Sequence, residues 1–291
     1  MIEKPAAALT RAIPPTPAGA LADNPALRRP APDLWSRPRD GRHDPPLRHA
    51  TLLVLLFHRA QAGPNGNAPE MLDAHFAEIA EHHHCVLPGE PLQPDRLNVC
   101  LTFDDGYYDF HQVVWPLLEK HGLRALLAVA PGLILDRTGQ PPATCLTLPA
   151  AVANPHEISA GLCVWPELRE MAGSGRVAFA AHGMTHARLD DPMVDLAREI
   201  VAPGALLENN LGGHVTSFVF PFGRYSRPAL RLARDRYRHA FRIGQASNTH
   251  WGQPVLYRVI ADNMAGPADL LSEKKLFRYR LRAFWNRLRR R

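Results

Sequence analysis

The stretch that decides the fold is an apolar run that ends in two carboxylates and a glycine, Val99-Cys100-Leu101-Thr102-Phe103-Asp104-Asp105-Gly106. Its apolar part has the length of a buried β-strand. Because strand side chains alternate between faces, Thr102 and Asp104 should point the same way while Asp105 begins a turn. Gly106 allows the positive φ that a sharp exit from a strand often needs. In α/β folds this end of a strand carries the chemistry, although a turn or a helix cap alone would also account for these residues.

The composition is that of a globular protein. Its 291 residues, 46% apolar and 21% charged, suffice for one large domain or two small ones. The longest early aliphatic run, Leu52 to Phe57, is far shorter than the roughly 20 apolar residues that cross a bilayer. We find no signal-peptide pattern before it, which predicts a cytoplasmic protein. The four scattered cysteines contain no C-x-x-C pair, so a disulfide framework is not expected.

The chain is predicted to have three parts. Residues 1–48 hold ten of the 28 prolines and show no apolar periodicity, which predicts a disordered leader. Residues 49–265 have the length of a single α/β barrel. Strands are predicted at residues 51–57, 99–103, 123–130, 177–181, 215–220, 240–242 and 256–260, and helices at 71–80, 107–121, 165–172 and 226–237. A further helix should open at Asp191 and be interrupted by Pro203, and residues 131–164 should form a long loop.

The third part, residues 270–291, is predicted to form a basic amphipathic helix. The net charge of +6 originates here, because residues 274–291 contain nine basic residues and no acidic one. Its apolar residues recur at helical spacing between arginines: Phe277, Leu281, Phe284, Trp285 and Leu288. Such a helix can lie on an anionic membrane surface, or it can pack on the barrel with a solvated basic end. Nucleic-acid binding is not expected, since no recognised nucleic-acid-binding fold accompanies the charge.

Two further predicted strands end in residues that could belong to a site. The strand at residues 177–181 runs into His182-Gly183-Met184-Thr185-His186. Two neutral imidazoles four residues apart can converge on one cation, although two surface histidines among the fifteen in the chain would look the same. The strand at residues 215–220 runs into Pro221-Phe222-Gly223, which by itself predicts only a turn.

These three segments, in this order, resemble the motifs of the polysaccharide deacetylase family, also called the NodB-homology or carbohydrate esterase 4 family. Residues 102–106 resemble its T-F-D-D-G motif, and residues 182–186 resemble H-[ST]-x-x-H, with Gly183 in place of the hydroxyl residue. Residues 220–223 resemble a shortened third motif. The resemblance covers roughly residues 50–260. It implies a distorted (β/α) barrel of the NodB-homology type and metal-dependent removal of acyl groups from amino sugars.

The resemblance also implies a role for each motif residue. Asp105, His182 and His186 would hold a divalent metal. This set of ligands suits zinc, with iron, cobalt or nickel as alternatives. Asp104 would be the general base that takes a proton from the attacking water. The backbone N–H of Phe222 would bind the amide oxygen of the substrate and stabilise it as it becomes negative.

Two features depart from the family's pattern. The fuller third motif has an arginine two residues before the proline, where this chain has Val219. Arg258, in a late strand, could orient Asp104 instead, or it could be purely structural. We find no clear equivalent of the family's late histidine, which protonates the departing amine. His58, at the end of the first strand, and His250 are the candidates.

The sequence thus predicts a deacetylase acting on an amino sugar in a polysaccharide, an oligosaccharide or a lipid-linked precursor, with its C-terminal helix at the inner membrane face. Two alternatives stay open at this point. One is a catalytically silent barrel that binds a glycan, which Val219 and the missing late histidine favour. The other is an amidohydrolase that acts on a small non-sugar amide.

Overall fold

The described residues form a closed barrel of seven parallel strands. The computed structural model describes residues 50–137 and 161–288. Its strands are β1 (Thr51–Phe57), β2 (His84–Cys85), β3 (Leu97–Phe103), β4 (Ala125–Val129), β5 (Val177–Ala181), β6 (Ser217–Val219), β7 (His239–Ile243) and β8 (Leu256–Ile260). The ring runs β1-β8-β7-β6-β5-β4-β3 and closes where β3 pairs with β1 along Thr51–Phe57. The two-residue β2 pairs with the start of β3 in addition.

Of the α-helices in the described ranges, five lie between consecutive strands and one follows β8. They are α1 (Pro69–His82), α2 (Trp115–Lys120), α3 (Trp165–Gly173), α4 (Ala202–Leu211), α5 (Arg227–Arg236) and α6 (Glu273–Leu288). One π-helical turn, Phe110–Val114, leads into α2, and another, Ala197–Val201, leads into α4. The predicted (β/α) barrel is therefore confirmed.

Strands β1 and β4 are almost entirely apolar because both of their faces are buried. Leu52 and Val54 of β1 belong to a cluster made mainly of strand residues, which fills the barrel. Leu53 and Leu55, on the other face, belong to the larger cluster that packs against the helices. A parallel strand covered in this way has no polar face to alternate with.

The same alternation orients the end of β3. Cys100 points into the barrel with the inner cluster, as its predicted role of a small buried hydrophobe requires. Thr102 and Asp104 follow at intervals of two, and both contact the guanidinium of Arg258. The prediction that these two side chains point the same way is confirmed.

The helix expected to open at Asp191 begins later, so that prediction is wrong. The carboxylate of Asp195 accepts hydrogen bonds from the N–H groups of Ala197 and Arg198 at 3.0 and 3.1 Å and caps the helical segment. Pro203 does not end the helical segment: the π-helical turn Ala197–Val201 lies directly before α4, and the chain continues as α4 through Leu211.

Some predicted segments fall outside the described residues. These are the leader, residues 1–48, and residues 138–160 of the expected long loop, whose described beginning contains a short 3₁₀ turn, Pro131–Leu133. The basic C-terminal segment is helical through Leu288. Within the described ranges, no helix combines the length and the apolar character needed to cross a membrane.

Candidate metal and catalytic site

The predicted metal ligands meet at one rim of the barrel. Because all the strands are parallel, the residues that follow β3 and β5 lie at the same end. Asp105 follows β3, His182 follows β5, and His186 lies four residues further on. One ligand atom from each side chain lies within 4.8 Å of the other two. Across residues 50–137 and 161–288, this is the one group of three or more acidic, histidine or cysteine side chains that could hold a metal ion.

The separations fit a small divalent cation. Oδ1 of Asp105 lies 3.6 Å from Nε2 of His182 and 3.4 Å from Nε2 of His186. Zinc bound tetrahedrally at about 2.0–2.2 Å places its ligand atoms about 3.3–3.6 Å apart. Two histidines and one carboxylate also leave coordination positions open for water and substrate, and the same donor set suits iron(II).

His182 is held in the form that binds metals. Its Nδ1 lies 2.9 Å from the backbone oxygen of Val219. A carbonyl oxygen only accepts, so Nδ1 carries the proton and Nε2 presents its lone pair to Asp105. Burial lowers the pKa of His182 to about 4, despite the opposing charges of Asp104 and Asp105. The imidazole is therefore neutral at pH 7, as a metal ligand must be.

Backbone strain concentrates at the same residues. Six non-glycine residues of the described chain have a positive φ, and three of them are predicted site residues. Asp105 has φ 72°, His186 has φ 60° and Phe222 has φ 57°. A side chain in this region costs on the order of 1–3 kcal/mol, and such residues gather at functional sites. The strain supports the predicted site independently of any motif.

Asp104 has a buried arginine partner. Nη1 and Nη2 of Arg258 donate to Oδ1 and Oδ2 of Asp104 at 2.6 and 2.8 Å. Burial alone would raise the pKa of this carboxyl, but the charge and hydrogen bonds of Arg258 and the charge of the protonated His58 outweigh burial and hold the pKa well below its usual range. Arg258, the candidate named from the sequence, thus contacts Asp104, while the backbone oxygen of Val219 accepts from His182.

His58 stands at the same rim with a carboxylate behind it. Its Nδ1 lies 2.6 Å from Oδ2 of Asp262, and its backbone N–H donates to Oδ1 of Asp262 at 3.1 Å. Burial acts to lower the pKa of His58, but the hydrogen bond to Asp262 and the charges of Asp104, Asp262 and Asp105 raise it to about 9. His58 is therefore protonated at neutral pH, with Nε2 free to donate.

His250 lies at the other end of the barrel. Two residues before it, Asn248 exchanges backbone hydrogen bonds with Leu52 at the start of β1. The next residue, Trp251, donates its Nε1–H to the backbone oxygen of Glu90. Of the two histidine candidates, only His58 lies at the rim that carries Asp104.

The third motif forms a tight turn beside His186. Phe222 lies in a 3₁₀ turn, Pro221–Gly223, whose closing hydrogen bonds are donated by Gly223 and Arg224 rather than by Phe222. Its ring centroid lies 4.6 Å from that of His186, and the side chain is 55% exposed. The Phe222 N–H is thus not used to close the turn, and the Phe222 ring packs against His186.

Three supporting residues were not predicted from the sequence. Glu199 is buried and accepts hydrogen bonds from the backbone N–H groups of Met184 and Thr185 at 2.9 and 3.0 Å and from the Thr185 hydroxyl at 2.8 Å. It therefore fixes the loop between the two histidines. Tyr107 hydrogen-bonds Asp105, and Asp262 orients His58. None of the three lies in a motif, so no local pattern marks them.

Comparisons with known proteins agree with this geometry. A sequence model described as polysaccharide deacetylase matches residues 93–237. The chain belongs to the polysaccharide deacetylase family. The family consists of hydrolases that act on carbon–nitrogen bonds other than peptide bonds, and this deacetylase is such a hydrolase.

Individual relatives share little sequence identity with the deacetylase, but the matches cover most of each chain. It is 23% identical over 235 residues to the Bacillus subtilis protein YxkH, whose name assigns it to the polysaccharide deacetylases, with 75% of each chain covered. The de-N-acetylase of Aggregatibacter actinomycetemcomitans is similar in fold, with TM-score 0.60, 20% identity, and 74% of this chain and 97% of that chain covered. Streptococcus pyogenes deacetylase PplD, solved in complex with acetate, has TM-score 0.60, 21% identity and coverages of 76% and 97%.

Proposed function

We propose that this deacetylase uses a divalent metal, most simply zinc, to hydrolyse the N-acetyl amide of an amino sugar. The substrate would be a polysaccharide, an oligosaccharide or a lipid-linked glycan precursor. One observation carries the proposal: three metal-ligand atoms within 4.8 Å lie at the barrel rim that also holds a buried carboxylate and a protonated imidazole. The acetate bound to the Streptococcus pyogenes relative is the acid that such a hydrolysis releases, which supports acetyl as the acyl group.

Asp105, His182 and His186 would hold the metal. When bound, a divalent cation supplies Lewis-acid polarisation of the amide carbonyl and acidifies a water molecule. Tyr107 and Glu199 would keep the ligands in place through their hydrogen bonds to Asp105 and to the loop between the histidines.

Asp104 would take the proton from the attacking water. Both of its oxygens are held by Arg258, so the carboxylate is ionised and fixed in orientation at neutral pH. A carboxylate with so low a pKa is a weak base and can only deprotonate a water that has been acidified. This property fits a base that works beside a metal site.

Phe222 and His58 would complete the reaction. The Phe222 N–H would donate to the amide oxygen as it gains negative charge during attack. Nε2 of His58 would then give its proton to the amine nitrogen as the carbon–nitrogen bond breaks, leaving acetate and a free amino sugar. The two departures from the family's pattern would thus be met by Arg258 and His58, which weakens the case for a silent barrel.

We further propose a reducing compartment, the cytoplasm, for this reaction. Cys85, Cys100 and Cys163 are free thiols, and the last two are buried among apolar residues. This arrangement is the usual one for thiols in reducing compartments.

The test combines metal analysis with activity on N-acetylated oligosaccharides. We expect the purified protein to contain a divalent metal and to release acetate. Asp104→Asn should keep the metal and lose at least about 100-fold in kcat, as removal of a general base does. Asp105→Asn should lose both the metal and the activity. His82→Gln, in a histidine 51% exposed on α1, is the matched control and should change neither.

Other outcomes identify the alternatives. Protein without metal and without activity would support the catalytically silent glycan-binding barrel. Metal with activity confined to small non-sugar amides would support the amidohydrolase that acts on such amides.

A further inference from the structure

Helix α6 packs on the barrel through a narrow face. Tyr279 and Ala283 are its buried side chains, and the backbone oxygen of Tyr279 accepts a hydrogen bond from Ser247. Arg280 reaches Thr51 at the start of β1 at 2.9 Å. The amide of Asn286 donates to the backbone oxygen of Gly244 at 3.1 Å. These contacts fix the rotation of α6 about its own axis.

The apolar face predicted from the sequence is the one that points to solvent. Its five members are all exposed: Phe277 (62%), Leu281 (45%), Phe284 (59%), Trp285 (49%) and Leu288 (65%). At about 100° per residue they fall in one sector, on the side opposite Tyr279 and Ala283. Half of the ten large apolar side chains exposed in the described chain lie on this one helix. Packing against the barrel therefore does not explain this face.

Basic side chains border the apolar sector. Arg278 and Arg282 lie one turn apart, beside Leu281 and Trp285. Together with Lys275 these side chains line a shallow surface groove of about 520 Å³. Neither Arg278 nor Arg282 forms an ion pair within the described part of the chain, and the sequence adds arginines at residues 289–291. Free cations next to exposed aromatic rings match a surface that is anionic outside and apolar beneath.

We propose that this outer face of α6 docks the enzyme on an anionic phospholipid bilayer, with the helix axis in the plane of the membrane. The apolar side chains would enter the boundary between headgroups and acyl chains, and Arg278 and Arg282 would contact lipid phosphates. A second copy of the chain is the less suitable occupant, because pairing two such faces would bring their arginines together. The docking does not depend on the proposed reaction.

Flotation of the full chain with lipid vesicles tests the proposal. We expect it to float with vesicles of phosphatidylcholine and phosphatidylglycerol, and to do so several-fold less with phosphatidylcholine alone or at high salt. Two double variants, Phe284→Ser with Trp285→Ser and Arg278→Glu with Arg282→Glu, should each lose most of the flotation. Arg231→Glu with Arg234→Glu, on the exposed side of α5, is the matched charge control and should float like the wild type.

Several results would overturn the proposal. They are no flotation with the anionic vesicles, equal flotation of the α6 variants, or a dimer of the wild type that the same variants dissociate. All variants change exposed side chains, so their thermal unfolding should match that of the wild type. Acetate release from a soluble oligosaccharide should also be unchanged, which separates a failure of docking from a failure of the proposed reaction.

Discussion

At the scale of single residues, Arg258 and Asp104 form a buried ion pair at the candidate site. Replacing Arg258 with Met leaves a buried carboxylate without its partner, which costs about 3–5 kcal/mol in the free energy of unfolding at neutral pH. Asp104 has a folded pKa below its ordinary 3.8, so its contribution to stability is present above that pH and is lost as the pH falls. The difference between wild type and variant in urea unfolding should therefore shrink under acid conditions.

The matched control for this experiment is Arg188→Met. Arg188 also pairs with an aspartate, Asp190, but its side chain is 55% exposed, and screened surface pairs contribute little. We expect almost no change in its urea midpoint. A variant of Arg258 that unfolds at the wild-type urea concentration would show that the buried pair does not matter for the fold.

His58 gives the second prediction at this scale, the alkaline limit of activity. Its folded pKa, raised from 6.5 to about 9, keeps the imidazole protonated at neutral pH, and kcat/KM should fall as the pH rises through the pKa. A bound cation would offset the charge of Asp105 and lower that limit somewhat. Asp262→Asn removes a hydrogen bond and a charge that raise the pKa, so it should move the limit to lower pH.

Two further variants complete the pH experiment. His58→Gln should lose most of the activity. Its remaining kcat/KM should not fall at alkaline pH through loss of the imidazole proton. His250→Gln, at the opposite end of the barrel, should keep the wild-type profile. An alkaline limit that stays in place in Asp262→Asn would argue against His58 as the acid.

At the scale of elements, the loop between β5 and α4 depends on Glu199. Its carboxylate accepts hydrogen bonds from Met184 and Thr185, between the two histidines proposed as metal ligands. Glu199→Ala should release the loop and weaken metal binding about 10- to 100-fold in a chelator competition. Glu199→Gln, whose amide can still accept from the backbone, should recover most of this loss. Glu208→Ala, on α4 and paired with Arg236, should bind metal like the wild type.

The elements also show what the sequence could predict. Strands β1 and β5 were predicted at their observed bounds, because each is an apolar run with clear ends, and β1 is buried along its whole length. The helix predicted to begin at Asp191 was misplaced because Asp191 and Asp195 are both acceptable N-cap residues, and only the tertiary structure selects one of them. The face of α6 that packs could not be predicted, since periodicity groups side chains without saying which group meets the barrel.

In the site too, residues within short motifs could be predicted, whereas contacts between residues far apart in the sequence could not. His182 and Asp105 belong to short motifs and could be predicted together. Asp262 is separated from His58 by 204 residues, and its pairing depends on β8 lying next to β1 in the closed ring. Arg258 could be named only as a candidate, because its contact with Asp104 also depends on that closure.

At the scale of the whole molecule, the three proposed metal ligands come from different parts of the ring of seven strands. Asp105 follows β3 and the histidines follow β5, so a bound ion would join segments on either side of β4. A metal that binds only the folded state stabilises it by mass action, by about 2.7 kcal/mol at 100 times its dissociation constant. Zinc added to metal-free protein should therefore raise the melting temperature of the entire barrel by several degrees.

The same measurement separates the site from adventitious binding by surface histidines. Asp105→Asn and His186→Ala should melt at the same temperature with and without zinc, because each removes one of the three ligands. His82→Ala removes an exposed histidine that has no place in the site and should keep the full shift. A shift of equal size in Asp105→Asn would mean that zinc stabilises the barrel from elsewhere. A shift seen only with the intact ligand set would tie the metal to the barrel rim at which Asp104 pairs with Arg258 and at which His58 also lies.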